Sequence, residues 1–552
     1  MSVDKTNEVV IEDITHSDSL GNQPHLDHYI YNAEERKARL TKPHWKDIMS
    51  IVCAGFALIS DGYQNNVLTM VNQVLTQEFP KEYTADMKTN VSNAGLITTI
   101  FGQVIIGIYA DYIGRKNAIV VATVFLVVGT CLCAASHGNS VNGLLWMLII
   151  SRGVTGFGIG AEYPSCSVSA NEAANESVKK RGGIFVLVTN LPLSLGGPFA
   201  LIIFLIVYQI TSHYEGIWRT MFAIGAFWPL SVFYFRMKMA TSELYKKSAI
   251  KKNIPYWLAI KFYWKRLIGT CVCWFLYDFV TFPNGIFSAG IISSILIGPD
   301  ASNLEKIAEW TLLLGSIAIP GCFIGAYLCD VIGRKYTLMT GFLGYIVFGL
   351  IVGIGYDKIS KIVPLFVVFY GLMQSCGNLG PGNMLGLISS ECYATPVRGT
   401  FYGFSAAIGK VGAVVGTKTF TPIQNNVHLG KKWTFIIAAI CGLVGVVCAF
   451  VFVPHLKEDD LLEEDIKFKN YLRDNGWTGD FGNGEQVDDY DAANFAEAYK
   501  QLNEAELQAS KLEKMLDNLD AKMDEILKEA EDITKPSAET SEEVSQTPHK
   551  KD

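Results

Sequence analysis

Charge is what this chain has little of. Of its 552 residues 18% are charged and 50% are hydrophobic, whereas a soluble domain carries roughly 25% charged residues. The twelve cysteines fall into no metal-ligand spacing. Cys131, Cys133, Cys271 and Cys273 sit inside apolar stretches and read as small hydrophobes. Neither a metal nor a cofactor is expected. No nucleophile–base pair and no phosphate-cradling loop stands out, so an enzyme is not expected either. No basic domain suggests nucleic acid. The net charge of −7 comes mostly from the C-terminal tail and says little about the partners of the rest. Residues 1 to about 42 are polar and lack the apolar core of a signal peptide, so membrane insertion would rest on the first apolar run.

What the chain has instead is long apolar runs. Runs of about 18 or more apolar residues read as membrane-spanning helices. Twelve are predicted, at roughly 46–68, 91–113, 117–137, 143–166, 182–211, 216–236, 266–296, 308–331, 335–355, 362–391, 397–422 and 433–454. The expected fold is an all-α membrane protein of two six-helix bundles, 45–236 and 266–455, joined by a loop at 237–265. A disordered arm covers 1–44, an acidic linker 456–494 and a disordered tail 534–552. Between the last two, residues 495–533 carry a heptad seam through Leu502, Ala505, Ala509, Leu512, Leu516, Leu519, Met523 and Ile526. That seam reads either as a coiled coil, for self-association or a cytosolic partner, or as a lone amphipathic tail.

Lys and Arg beside a span mark the cytosolic side. Arg36, Lys37, Arg39, Lys42 and Lys46 precede the first span, and the even-numbered loops and central connection are rich in Lys and Arg. Lys431 and Lys432 are the exception. Both termini are therefore expected in the cytosol.

One polar turn occurs in each half. Asp111-Tyr112-Ile113-Gly114-Arg115-Lys116 returns as Asp330-Val331-Ile332-Gly333-Arg334-Lys335. A long-period repeat of this kind implies two similar halves. Asp111 suits a place near a helix N-terminus with neighbouring arginines as partners. Glu172 with Arg181, and Glu391 with Arg398, offer further acid–base pairs. Together with Asp330 and Arg334 these read as a cytosolic gate of inter-helix latches, or as plain topology-setting charge.

Ionisable residues inside spans are costly and so become functional candidates. They are Asp61, Arg152, Glu162, Asp278 and Lys410. At 1.5 Å per residue, Asp278 lies about 18 Å from Arg266 and Lys410 about 18 Å from Arg398, so both fall near the bilayer midplane. Trp274, Asp278 and Phe282 share one helix face, like a cavity lining. Asp278 could instead be a structural partner of Lys410. An anion bound near Asp278 would favour its protonated form, so anion and proton would load together. Lys410 is the natural counter-charge for a phosphate. Gly156, Gly158 and Gly160 permit close helix approach, and Gly377 to Asn383 interrupt span ten.

Taken together these residues resemble the major facilitator superfamily, whose loop 2–3 signature is similar to Gly107–Lys116. The second copy has Ala326 at the place of the first glycine. Gly160-Ala161-Glu162-Tyr163-Pro164-Ser165 narrows the resemblance to the phosphate:proton symporter branch, and within it to the fungal glycerophosphodiester permeases. That resemblance implies a proton-coupled, plasma-membrane importer of glycerophosphocholine or glycerophosphoinositol working by alternating access. Inorganic phosphate symport and a non-transporting nutrient sensor remain as alternatives. By the same resemblance, Tyr163, Asn190, Trp274, Asp278, Phe282, Asn383 and Lys410 would bind substrate, and Asp61, Glu162 and Asp278 would carry protons. Gln64 replaces a second acid of span one, Glu162 replaces a motif aspartate, and Phe282 stands where phosphate symporters have tyrosine. These losses suit a diester, which has one charge and two substituents. The aromatic lining also offers choline a cation–π platform.

Overall fold

The structure, a computed structural model, describes residues 58–177, 181–211, 213–238, 250, 254–425, 430–456, 461–477 and 479. All of them belong to one unit, Met1–Gly482. The N-terminal arm, much of the central connection and the heptad segment lie outside the described residues.

Helices take the places of the expected spans. Span one is Leu58–Glu78, two Ala85–Ile113, three Arg115–Ala134, four Val141–Ser177 and five Arg181–Ile210. Span six is broken into Tyr214–Gly225 and Phe227–Lys238, and span eight into Leu304–Ala318 and Pro320–Val331. Spans seven, nine, eleven and twelve are Tyr256–Ile286, Arg334–Ile359, Thr395–Asn425 and Lys432–Phe452. Span ten runs from Val363 to Gly377, passes through a π-turn at Asn378–Gly382, and ends in Asn383–Glu391. Helices satisfy their own backbone, which is why apolar runs of this length fold this way in lipid. Eight of them are long and apolar enough to cross a membrane by length and composition. Their outward faces carry exposed side chains such as Ile150, Ile354, Phe450 and Val451, which suit a lipid surround rather than water.

The halves meet along two seams, span two against span eleven and span five against span eight. The repeated turns end spans two and eight in the same way. Gly114 and Gly333 sit at φ 96° and 87°, where a side chain would be strained, and each lets the next helix start at once with its arginine.

Span one runs to Glu78 and span four to Ser177, about ten residues past their expected ends, while span seven stops at Ile286, ten short of its own. Two expected domain boundaries are corrected as well. Span seven begins at Tyr256, ten residues inside the stretch expected as loop. The acidic linker contains a helix, Leu461–Asp474, that packs on the body. Leu461, Asp465, Phe468 and Leu472 recur at steps of four, three and four, and all are buried. Phe468 and Tyr471 pack against Phe262 at 5.9 and 4.7 Å between ring centroids. Glu464 pairs with Arg266 at 2.8 Å and accepts from the Tyr263 hydroxyl at 3.0 Å. Mean acidity hid this apolar stripe.

Candidate functional site

Between the halves lies a cavity of about 210 Å³. Span seven supplies its charged wall. Lys410 Nζ, from span eleven, donates to Asp278 Oδ2 at 2.6 Å, and both side chains are at most 2% exposed. The ammonium also lies 4.3 Å from the centroid of Phe282 and 5.1 Å from that of Tyr163. Gly409 makes room for Trp274, whose ring a Cβ there would meet at 2.4 Å. Trp274 stacks edge-on to Tyr402 at 5.5 Å. A buried ion pair is weak evidence of stability, but removing one partner strands the other charge at a cost of about 3–5 kcal/mol. The pair therefore suits a site where an incoming anion replaces the carboxylate.

Tyr163, Asn190, Trp274, Asp278, Phe282 and Lys410 all line the cavity. Asn383 does not. It stands behind Asn190, accepting from its amide and donating to the Cys322 carbonyl at 3.1 Å. Asp61 and Glu162 are fully buried beside the lining residues Gly62 and Tyr163 but do not line the cavity themselves. Arg152 donates to the Gln64 carbonyl at 3.2 Å, away from the cavity. The alternating glycines of span four are packing: a Cβ at Gly156 or Gly160 would strike span two at 2.1–2.2 Å, and one at Gly158 span three at 2.6 Å. Not foreseen as lining were five amides, Asn65, Asn66, Asn284, Gln374 and Asn378. An amide in an apolar span costs free energy unless hydrogen-bonded, so a search that included uncharged polar groups would have found them.

The face carrying the repeated turns is closed by charge. Asp111 accepts from the Gly399 N–H at 3.0 Å and from the Thr400 N–H and hydroxyl at 2.7 Å each, all across the seam. It also pairs with Arg115 at 2.5 Å. Gly399 leaves the space, since a Cβ there would lie 2.6 Å from Asp111. At the second turn, Asp330 accepts from the Gly183 N–H at 3.1 Å and lies 3.7 Å from Arg334. The acid–base pairs cross over relative to expectation. Glu172 pairs with Arg398 at 3.1 Å and Arg115 at 3.3 Å, and Glu391 with Arg181 at 2.9 Å and Arg334 at 3.3 Å. Each carboxylate thus reaches an arginine of the opposite half. Lys116, expected in the gate, is half-buried and makes no ion pair with a described residue. Asp465, from the added helix, accepts from the Thr395 N–H and hydroxyl at 2.6 and 2.8 Å.

The opposite face is joined without an ion pair between the halves among the described residues, although Gln209 donates to the Glu305 carboxylate at 2.8 Å. Gln77 donates to the Ser302 carbonyl at 2.8 Å, and Thr417 donates to Asn93 at 2.5 Å.

The family model for the sugar (and other) transporters matches residues 48–468. The chain belongs to that family. This transporter, not an enzyme, is 70% identical to glycerophosphoinositol permease 1 of Candida albicans, over 84% of this chain and 89% of that one. It is 60% identical to glycerophosphoinositol transporter 1 of Saccharomyces cerevisiae, over 82% and 88%. Among solved structures, a proton:xylose symporter bound to 6-bromo-6-deoxy-D-glucose matches with a TM-score of 0.65 at 16% identity, over 76% of this chain and 99% of that one. The last likeness carries the transporter's fold alone.

Proposed function

We propose that the protein imports glycerophosphodiesters across the plasma membrane together with protons, by alternating access, with both termini cytosolic. The observation that carries the reading is the buried Lys410–Asp278 pair in the wall of a cavity between the halves. The relatives named as glycerophosphoinositol permease and transporter support the substrate class. A diester anion arriving at Lys410 competes with Asp278 for the ammonium. It leaves the carboxylate beside a second negative charge, and a proton on Asp278 relieves the repulsion. The loaded site then carries no more net charge than the empty one, which lets the halves rock around it. Asp61 and Glu162, buried beside the lining, would relay protons. Release would follow on the cytosolic side, where the Arg- and Lys-rich turns lie.

Uptake of labelled glycerophosphoinositol by cells expressing the full chain should be saturable and abolished by a protonophore. Lys410→Ala should lower the maximal rate at least about a hundredfold, the equivalent of losing a buried charge pair. Uptake indifferent to protonophore would sink the coupling, and normal uptake by the Lys410 variant would remove the anion site.

A further inference from the structure

The cavity has two chemically distinct ends. At the charged end, Lys410 is bonded to Asp278 and lies over the faces of Phe282 and Tyr163. Two of the aromatic faces in the cavity, those of Phe282 and Tyr163, thus already face a cation. At the other end the five amides converge from three helices: Asn65 and Asn66 from span one, Asn284 from span seven, Gln374 and Asn378 from span ten. Asn284 is six residues beyond Asp278 on the same helix, about 9 Å further from the repeated turns. Gln374 and Asn378 precede Glu391 by seventeen and thirteen residues, or about 25 and 20 Å along span ten. By this count Asn284 and Gln374 lie further from the turns than the charged pair, and Asn378 lies about level with it.

Three of these amides keep free hydrogen-bonding capacity, whereas Asn284 already donates to the Val280 carbonyl at 2.7 Å and accepts from the Tyr370 hydroxyl at 3.3 Å. Asn65 makes no hydrogen bond to a described residue. Asn66 and Asn378 each donate once, to the Gly62 and Ala318 carbonyls at 2.8 and 3.0 Å, which leaves their side-chain oxygens available as acceptors. The π-turn at Asn378–Gly382 places Asn378, Pro381 and Gly382 on the wall together. An amide offers donors and acceptors side by side, which matches hydroxyl groups. A trimethylammonium can answer none of them, and its entry would strip the amides of water without replacement.

Resting on the transport reading above, we propose that the amide cluster is a polyol subsite which selects a ring bearing several hydroxyls, such as inositol, over choline as the head group of the diester. Lys410 takes the phosphodiester, and Asn65, Asn66, Gln374 and Asn378 take the head group, with Asn284 bracing the wall behind them. Selection has two parts: hydroxyls satisfy the amides, and the Lys410 charge repels a cationic head group from the faces of Phe282 and Tyr163.

The test measures uptake of radiolabelled glycerophosphoinositol and glycerophosphocholine by the full-length protein in whole cells, with surface abundance measured alongside. The wild type should show a KM for glycerophosphoinositol at least about tenfold lower. Asn65→Ala and Gln374→Ala, on different helices, should each raise that KM about tenfold with the maximal rate largely kept. The KM for glycerophosphocholine should change much less, so the ratio between substrates collapses. Asn65→Gln should restore part of it. Equal KM values in the wild type, or equal losses for both diesters in the variants, would overturn the head-group assignment while leaving diester transport standing. Uptake of neither diester would overturn the transport reading and this one with it.

Discussion

Asp111 and Asp330 occupy the same place in the repeated turn, yet they hold the opposite half very differently. Across the seam Asp111 accepts three hydrogen bonds, two from N–H groups in the first turns of span eleven and one from a hydroxyl. Asp330 accepts one, from Gly183 at the start of span five. The Asp111 side chain is fully buried and that of Asp330 is 11% exposed. Span eleven has a further clasp that span five lacks among the described residues: Asp465 grips Thr395, whose carbonyl also accepts from Arg115 at 3.4 Å. Sequence identity at a turn thus fixes its backbone, through the positive-φ glycine. The donors it meets on the other side fix its strength.

Three substitutions would break or sharpen that contrast. Asp111→Asn has the largest expected effect. It removes a buried acceptor charge with three cross-seam donors and leaves Arg115 sharing Glu172 with Arg398, at a cost of about 3 kcal/mol. Hydrogen exchange at the start of Thr395–Asn425 should accelerate accordingly, and thermal inactivation in detergent should come earliest for this variant. Asp465→Asn should cost about 1–2 kcal/mol, since an amide oxygen can keep one of the two Thr395 bonds. Its exchange signature should be confined to Leu461–Asp474 and the adjoining turn of span eleven. Asp330→Asn should cost about 0.5–1 kcal/mol, the worth of one hydrogen bond. Equal losses at the two turn aspartates would show that the halves are latched symmetrically after all. Asp465→Asn behaving like wild type would show that the added helix rests on the body without bracing it.

The helices could be read from the sequence because apolar runs in lipid have few alternatives. Asp278 and Lys410 also came out as neighbours, since each lies twelve residues from an arginine that marks the same face. The crossed pairing of Glu172 with Arg398 and of Glu391 with Arg181 could not be read. It depends on how two seams align across the molecule, and local spacing carries no record of that. The amide wall was missed because depth was judged for charges alone, although Asn378 stood in a stretch already singled out. The helix at Leu461–Asp474 shows its stripe of Leu461, Phe468 and Leu472 once the surrounding acid is discounted. The heptad segment and the N-terminal arm lie outside the described residues.

That last helix also has a consequence for how the molecule is made. Asp465 is synthesised seventy residues after the Thr395 it grips, and after all twelve spans. A nascent chain can therefore assemble both bundles and the crossed ion pairs while the clasp on span eleven is still unmade. The fully braced form is reached only when the ribosome has passed the membrane part altogether. A chain interrupted anywhere between Phe452 and Asp465 would carry every span and the whole cavity, and would still lack the piece that completes its closed face.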